Sequence, residues 1–510
     1  GSGITLSPDG DIFATGISTF SEGIADDITI NGVTVGKGAN SVANNTVLGL
    51  GALDAAVTGT HNVTVGKDAG TEITSGSSNA ILGSEAGDNI TTGSSNIAVG
   101  SEAYDAGTTG SNNTAVGTMA LQTSTSVSNQ TAIGYQALRY SSTGTENVAV
   151  GYQSLLDNTT GDRNTALGTF SLENNTTGDD NTALGRNTLG SNTEGIQNVA
   201  VGRDALDANT TGTRNTALGS FALGASTTGS YNVAVGKGSL EANTTADYNT
   251  ALGYEALALN TTGTQNVAIG GLALDAITTN SYNTAVGHAA LSANTATGGT
   301  AVGHRALTSN TTGAANLAVG KDALFNNTTG SYNIAIGYDS LQQNTTANNN
   351  VAVGHDALKL NTTGASNTAV GANALDSNTT ASNNTAVGYV ALGANTTGGT
   401  NTAVGKDALA SNTTASANTG LGKSALQTNT TGDNNTAVGK DALLSNTTGS
   451  ENVAVGNNAL YANTTGTHNV ALGYQPLHDN TTGVRNIAIG DRPMDANTTA
   501  SYNLAIGYAA

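Results

Sequence analysis

The chain has 510 residues, with 68 glycines, 3 prolines, no cysteine and no tryptophan, and only 10% of it is charged. That composition excludes a disulfide scaffold, cysteine-ligated zinc, iron–sulfur clusters and thiol catalysis, and it lacks the aromatic stock of several conventional cores. The net charge of −20 argues against nucleic-acid partners, and no apolar run approaches the ~18 residues that would cross a membrane.

Residues 1–44 stand apart from the rest. The stretch Gly3 to Gly16 reads as strand, turn, strand, with Pro8-Asp9-Gly10 as the turn. Ile28 to Gly36 reads as a second hairpin, and the segment holds Phe13 and Phe20, two of only 5 phenylalanines. It is expected to form an N-terminal cap or attachment module.

From residue 45 to Ala510 the chain is a repeat. Taking an Asn as position 1, copies start at 45, 62, 79 and onward to 283, always 17 apart. One 16-residue step leads to 299, and 17-residue steps resume to 503, which makes 28 starts. The consensus is Asn-Thr/Val-Ala-Val-Gly-x-x-Ala-Leu-x-x-Asn-Thr-Thr-Gly-x-x. Copies between 45 and 140 are degenerate, as repeats near a solenoid terminus are.

Within a copy, positions 2 and 4 are branched and mostly apolar, so period-two alternation marks a short strand with those residues facing a core. Position 5 is Gly in all 28 copies, which indicates a bend or a backbone too close to a neighbour for a Cβ. Position 9 is Leu in 23 of 27 copies and reads as a second core anchor. The expected core therefore includes Val150, Gly151, Leu155, Val319, Gly320, Leu324, Val438, Gly439 and Leu443. Asp or Asn at position 7, with Pro476 and Pro493 at position 8, predicts a short α or 3₁₀ turn over positions 6 to 11, with a second strand as the alternative. Asn-Thr-Thr-Gly at positions 12 to 15 is turn chemistry. A 17-residue coil cannot bury its side chains alone, so the coils are expected to stack as a parallel β-solenoid. At ~4.8 Å per coil the stack would be roughly 130 Å long. The last copy stops mid-repeat at Ala510, and the native chain is expected to continue beyond it.

Position 3 is Ala in 24 of 28 copies. Placed opposite the presumed core face, it predicts an alanine stripe on the outside, with Ala318, Ala335, Ala352 and Ala369 packing against another copy in a parallel homo-oligomer.

Val148-Ala149-Val150-Gly151 and its kin resemble the Ser-Val-Ala-Ile-Gly signature of trimeric autotransporter adhesin heads, which are left-handed parallel β-rolls of nearer 14 residues per coil. The 17-residue form is similar to repeats of bacteriophage tail fibres, and Leu6-Ser7-Pro8-Asp9-Gly10-Asp11-Ile12-Phe13 resembles fibre proteins of marine cyanobacterial phages. The resemblance implies a homotrimeric, extracellular fibre: a tail-fibre shaft anchored to a virion at one end, its tip meeting a host cell-surface glycan or protein. The alternative is a bacterial surface adhesin or filament.

No motif for catalysis, cofactor or metal stands out, and the chain is read as a non-enzyme without cofactors. His288, His304 and His355 share position 6 and could hold a metal, but no carboxylate pattern accompanies them. Tyrosines recur at positions 6 and 17, such as Tyr338 and Tyr332, where they could stack on sugars or pack laterally. Asn-Thr-Thr matches a glycosylation acceptor, but its regularity favours a stacked Asn column closing a turn. Ice binding would need an outward Thr-x-Thr face, which the adjacent turn threonines do not offer.

Overall fold

The computed structural model describes residues 4–6, 12–14, 28–30 and 32–510, with side chains from residue 32 onward. The Pro8-Asp9-Gly10 turn and Phe20 lie outside the described residues. Strand β1 (Ile4–Leu6) pairs antiparallel with β2 (Ile12–Ala14), and β3 (Ile28–Ile30) pairs antiparallel with β4 (Val33–Gly36). β4 then pairs antiparallel with β5 (Thr46–Gly49), the first strand of the repeat.

From β5 the chain is an all-β parallel β-solenoid of about 27 turns with coils of ~17 residues. Its contacts divide it into two units: residues 1–201 with 209–211, and residues 202–208 with 212–510. In the first unit each three-residue strand pairs parallel with the one a coil further on, so Val148-Ala149-Val150 lies against Thr165-Ala166-Leu167. The second unit follows the same rule from Thr216–Leu218 to Leu504–Ile506. The 16-residue coil leaves the strands in register, with Thr284 opposite Thr300.

The strands occupy a small part of each coil, yet backbone hydrogen bonds between coils continue around the rest of it. Leu324 N donates to Ser340 O at 3.0 Å, Asp339 N to Lys321 O at 3.1 Å, and Thr328 N to Thr345 O at 2.8 Å. Positions 6 to 11 form neither the predicted helical turn nor a second strand. Positions 7 and 9 are left-handed, as at Asp322 (φ 55°) and Leu324 (φ 51°), and that alternation breaks any helix. Asp and Asn suit position 7 because they tolerate this region, not because they cap a helix. Proline is accepted at position 8 because the N–H there makes only a long bond within its own coil, 3.4 Å from Ala323 N to Gly320 O. The Pro476 carbonyl still accepts from Leu460 N at 3.0 Å.

The core is inverted relative to the sequence expectation. Position 3 points inward: Ala318, Ala335, Ala352 and Ala369 are 0% exposed within a single chain, so they cannot be an oligomer interface. Val150, Val319 and Val438 at position 4 are only half-buried and face outward. The reason is room. Position 3 faces the leucine column across a narrow interior, and a Cβ added at Gly420 would sit 3.4 Å from two Leu409 side-chain carbons. Leu155, Leu324 and Leu443 are fully buried, as expected. From Gly66 onward the position 5 glycines carry φ near +135°, for example +136° at Gly320, and a Cβ there would strike the Gly337 carbonyl. Gly151 and Gly439 are held in the same way.

Candidate functional site

Three surfaces of the coil carry side chains in repeating columns. The first is the outer face of the strands. Positions 2 and 4 present Thr, Val, Leu or Ile to solvent, as at Val233 (38% exposed), Leu252 (45%) and Ile336 (37%). The face is uncharged and, apart from Ala80, branched.

The second surface is position 6, beside the strand. Half of the 16 basic residues stand in this column, from Lys67 to Lys440, among the tyrosines and histidines. The sequence reading singled out the aromatic members and missed the cations, although the count per position would have revealed them. Each cation tends to meet the carboxylate that follows it: Lys321 lies 3.7 Å from Asp322, and Lys440 lies 3.1 Å from Asp441. Arg305 also reaches Asp322 at 2.8 Å. The rings stack from coil to coil, Tyr338 on His355 at 5.3 Å and His288 on His304 at 5.6 Å between centroids. Lys321 sits 5.2 Å over the Tyr338 ring. These stacks pack ring faces against neighbouring coils, while Tyr282 and Tyr332 at position 17 remain 65% exposed. At position 17, Tyr231 and Tyr248 stack at 4.9 Å in the same manner.

The third surface is the turn. The Asn of Asn-Thr-Thr is buried, and its amide is committed: Asn361 Nδ2 donates to Asn344 Oδ1 at 3.0 Å and to Gly364 O at 2.9 Å. A glycan on that nitrogen is incompatible with the folded coil. Position 1 builds a parallel ladder, with Asn350 N donating to Asn333 Oδ1 at 3.0 Å and Asn350 Nδ2 to Gly364 O at 2.9 Å. Thr362 Oγ1 donates to the Thr379 carbonyl at 3.0 Å, while Thr363 beside it is exposed. The two turn threonines thus point apart, as their adjacency requires.

Carboxylates at position 10 are partly buried. Burial pushes Asp105, Glu173, Asp207, Asp275 and Asp376 above the usual carboxylate range. Asp275 lines a shallow depression with Glu241, Glu255 and Leu259, and its buried Oδ1 has no hydrogen-bond partner. In the degenerate coils Tyr104 replaces the core leucine. Its hydroxyl accepts a hydrogen bond from Asn113 Nδ2 at 3.0 Å, and burial pushes its pKa up to about 12. Among the described residues no three histidines, aspartates or glutamates are grouped to hold a metal ion.

No family model matches this chain, and no curated protein matches it. The fold is consistent with a structural or fibrous role.

Proposed function

We propose that the chain is a structural, non-catalytic fibre: the shaft of a phage tail fibre that holds a receptor-binding tip away from the virion. The observation that carries this reading is the bonding between coils. Backbone ladders tie each coil to the next, two buried Asn columns join them in most coils from Asn158 onward, and the same few contacts recur from turn to turn. Such a stack gains length by adding coils and gains no new chemistry in doing so. The resemblance of the Val-Ala-Val-Gly strands to tail-fibre repeats supplies the finer identity, the extracellular setting and the number three for a homotrimer. The segment before residue 45 is the attachment module in this reading, and the host glycan or protein is met by the tip. Neither nucleic acid nor a bilayer is a partner, given the −20 charge.

Gold-labelled antibodies raised against the coils should decorate the fibres of intact virions in electron micrographs. Labelling of a bacterial envelope in place of virions would favour the adhesin alternative. Labelling confined to cell interiors would overturn both.

A further inference from the structure

We propose that the outward strand face, positions 2 and 4, is where copies of this chain meet side by side, parallel and in axial register. The proposal takes parallel bundling from the fibre reading and names the surface that makes it.

Within the second unit the face runs from Thr216 and Leu218 to Leu504 and Ile506. Every residue in it is Thr, Val, Leu or Ile, and none is charged. The columns beside it behave differently, since position 6 carries Lys237, Lys321, Lys406, Lys423 and Lys440. A surface under no constraint would share that polar drift. The exposure is also too large to leave in water. With these branched side chains roughly one third exposed, two per coil, the second unit presents on the order of 1,500 Å², against ~300–600 Å² for the largest patch on an ordinary monomer and ~800 Å² per partner in a stable interface.

The period chooses the occupant. Rows of this face repeat with the rise of the coil, as the strand register shows at Ala335 opposite Ala352. A globular partner would cover a few rows, whereas a second copy matches the spacing along the whole unit. Charge chooses the direction. Positions 6 and 17 flank the strand on opposite sides. An antiparallel pairing would set one lysine column against another, with Lys406, Lys423 and Lys440 in three successive coils. A parallel pairing about an axis along the coils sets each lysine column against the partner's position 17, which is mostly uncharged in this unit: Tyr, Asn and Thr with Glu451, and arginine at Arg214 and Arg485 alone.

The chain contains no cysteine, so single cysteines report cleanly. Val235→Cys and Val438→Cys, both at position 4 and far apart in the unit, should each give covalent dimers with a short bis-maleimide. Thr431→Cys, exposed in the turn, should not. Val353→Glu combined with Val370→Glu should lower the mass in light scattering to that of one chain while the circular dichroism stays unchanged. An oligomeric parent in which Thr431→Cys cross-links and the two strand cysteines do not would overturn this surface and leave the fibre reading standing. Cross-linking at only one of the two rows would overturn the parallel register. A parent that is monomeric at micromolar concentration, or that is monomeric and adsorbs to ice through this face, would overturn the proposal whether or not antibodies label a virion fibre.

Discussion

Beyond the first coil, where Val47 and Leu53 are both buried, position 3 accepts no more than a methyl group wherever position 9 is Leu, and the chain records what happens when more is placed there. Thr64 and Ile81 occupy position 3 in two early coils, and position 9 of the same coils is Gly70 and Gly87 rather than Leu. A Cβ on Gly70 would lie 3.1 Å from Thr64 Cγ2, and one on Gly87 would lie 3.1 Å from Ile81 Cδ1. Ile73 and Ile90, fully buried at position 12, restore the lost volume. Ala335→Ile should therefore cost ~1–3 kcal/mol by overpacking. Adding Leu341→Gly should cost less than the sum of the two single changes, a coupling that a double-mutant cycle in denaturant would measure. Strict additivity would mean that the two positions do not share one space. The glycine and leucine columns were legible from sequence because steric exclusion leaves an invariant residue. The direction of the strand was not, because alternation says that positions 2 and 3 oppose each other without saying which is inside. The paired exceptions at positions 3 and 9 were the tie-breaking signal. The carboxylates at position 10 give a second residue-scale expectation. Burial raises their pKa, so the folded chain binds more protons than the unfolded chain just above the ordinary carboxylate range near ~4. Their unfavourable contribution thus grows as pH rises through the folded pKa and is relieved as pH falls. The melting midpoint should rise as the pH is lowered from neutrality towards the ordinary carboxylate range, and a variant carrying Asp207→Asn, Asp275→Asn and Asp376→Asn should show a flatter rise. An equal slope in that variant would exclude burial of these groups as the cause.

At the scale of the element, the coil is closed by its two asparagines rather than by regular secondary structure. Both donate to the same carbonyl at position 15, as Asn350 and Asn361 do to Gly364. A buried amide that also bonds its neighbour above and below is costly to remove, because its partners are left unsatisfied. Asn361→Ala strips the Asn344 Oδ1 of its donor, and it should lower stability by about 1–3 kcal/mol, with faster amide exchange confined to the adjoining coils. Exchange that is unchanged there would show the ladder to be dispensable. The chain contains a natural break of this kind. Ile277 stands where the column expects Asn, and the preceding Asn260 has a buried Oδ1 without a hydrogen-bond partner. The Asn column was readable in advance from its regularity. The loop over positions 6 to 11 was not, since Asp before a small residue fits both a helix cap and a left-handed residue. Only the inter-coil bonds, which favour left-handed backbone at positions 7 and 9, separate the two.

At the scale of the molecule, a stack in which each coil touches its neighbours should be indifferent to how many coils it has, provided whole coils are counted. The 16-residue coil sets the tolerance. It loses a residue in the turn near Gly298, whose left-handed φ of 72° absorbs the shortening, and Ala285 still lies opposite Ala301. The cost is local: Gly299 replaces the position 1 asparagine, and Asn294 turns its amide to Asn283 Oδ1 at 3.3 Å. Excising residues 350–366, one full coil, joins Asn349 to Asn367 and places Asn333 directly beneath Asn367. Every column is then continuous: Ala335 meets Ala369, Leu341 meets Leu375 and Asn344 meets Asn378. The shortened chain should keep its circular dichroism per residue and melt within a few degrees of the parent. Excising residues 350–357 removes about half as much chain but brings Leu358 to the start of a coil. Leucine would then stand in an asparagine ladder, and position 5 would fall on Thr362, whose Cβ has no space against the glycine column. That variant should lose cooperative melting or become sensitive to protease across the junction. If both excisions melted alike, the coil would not be the unit of stability, and the column-by-column account of this fold would fail with it.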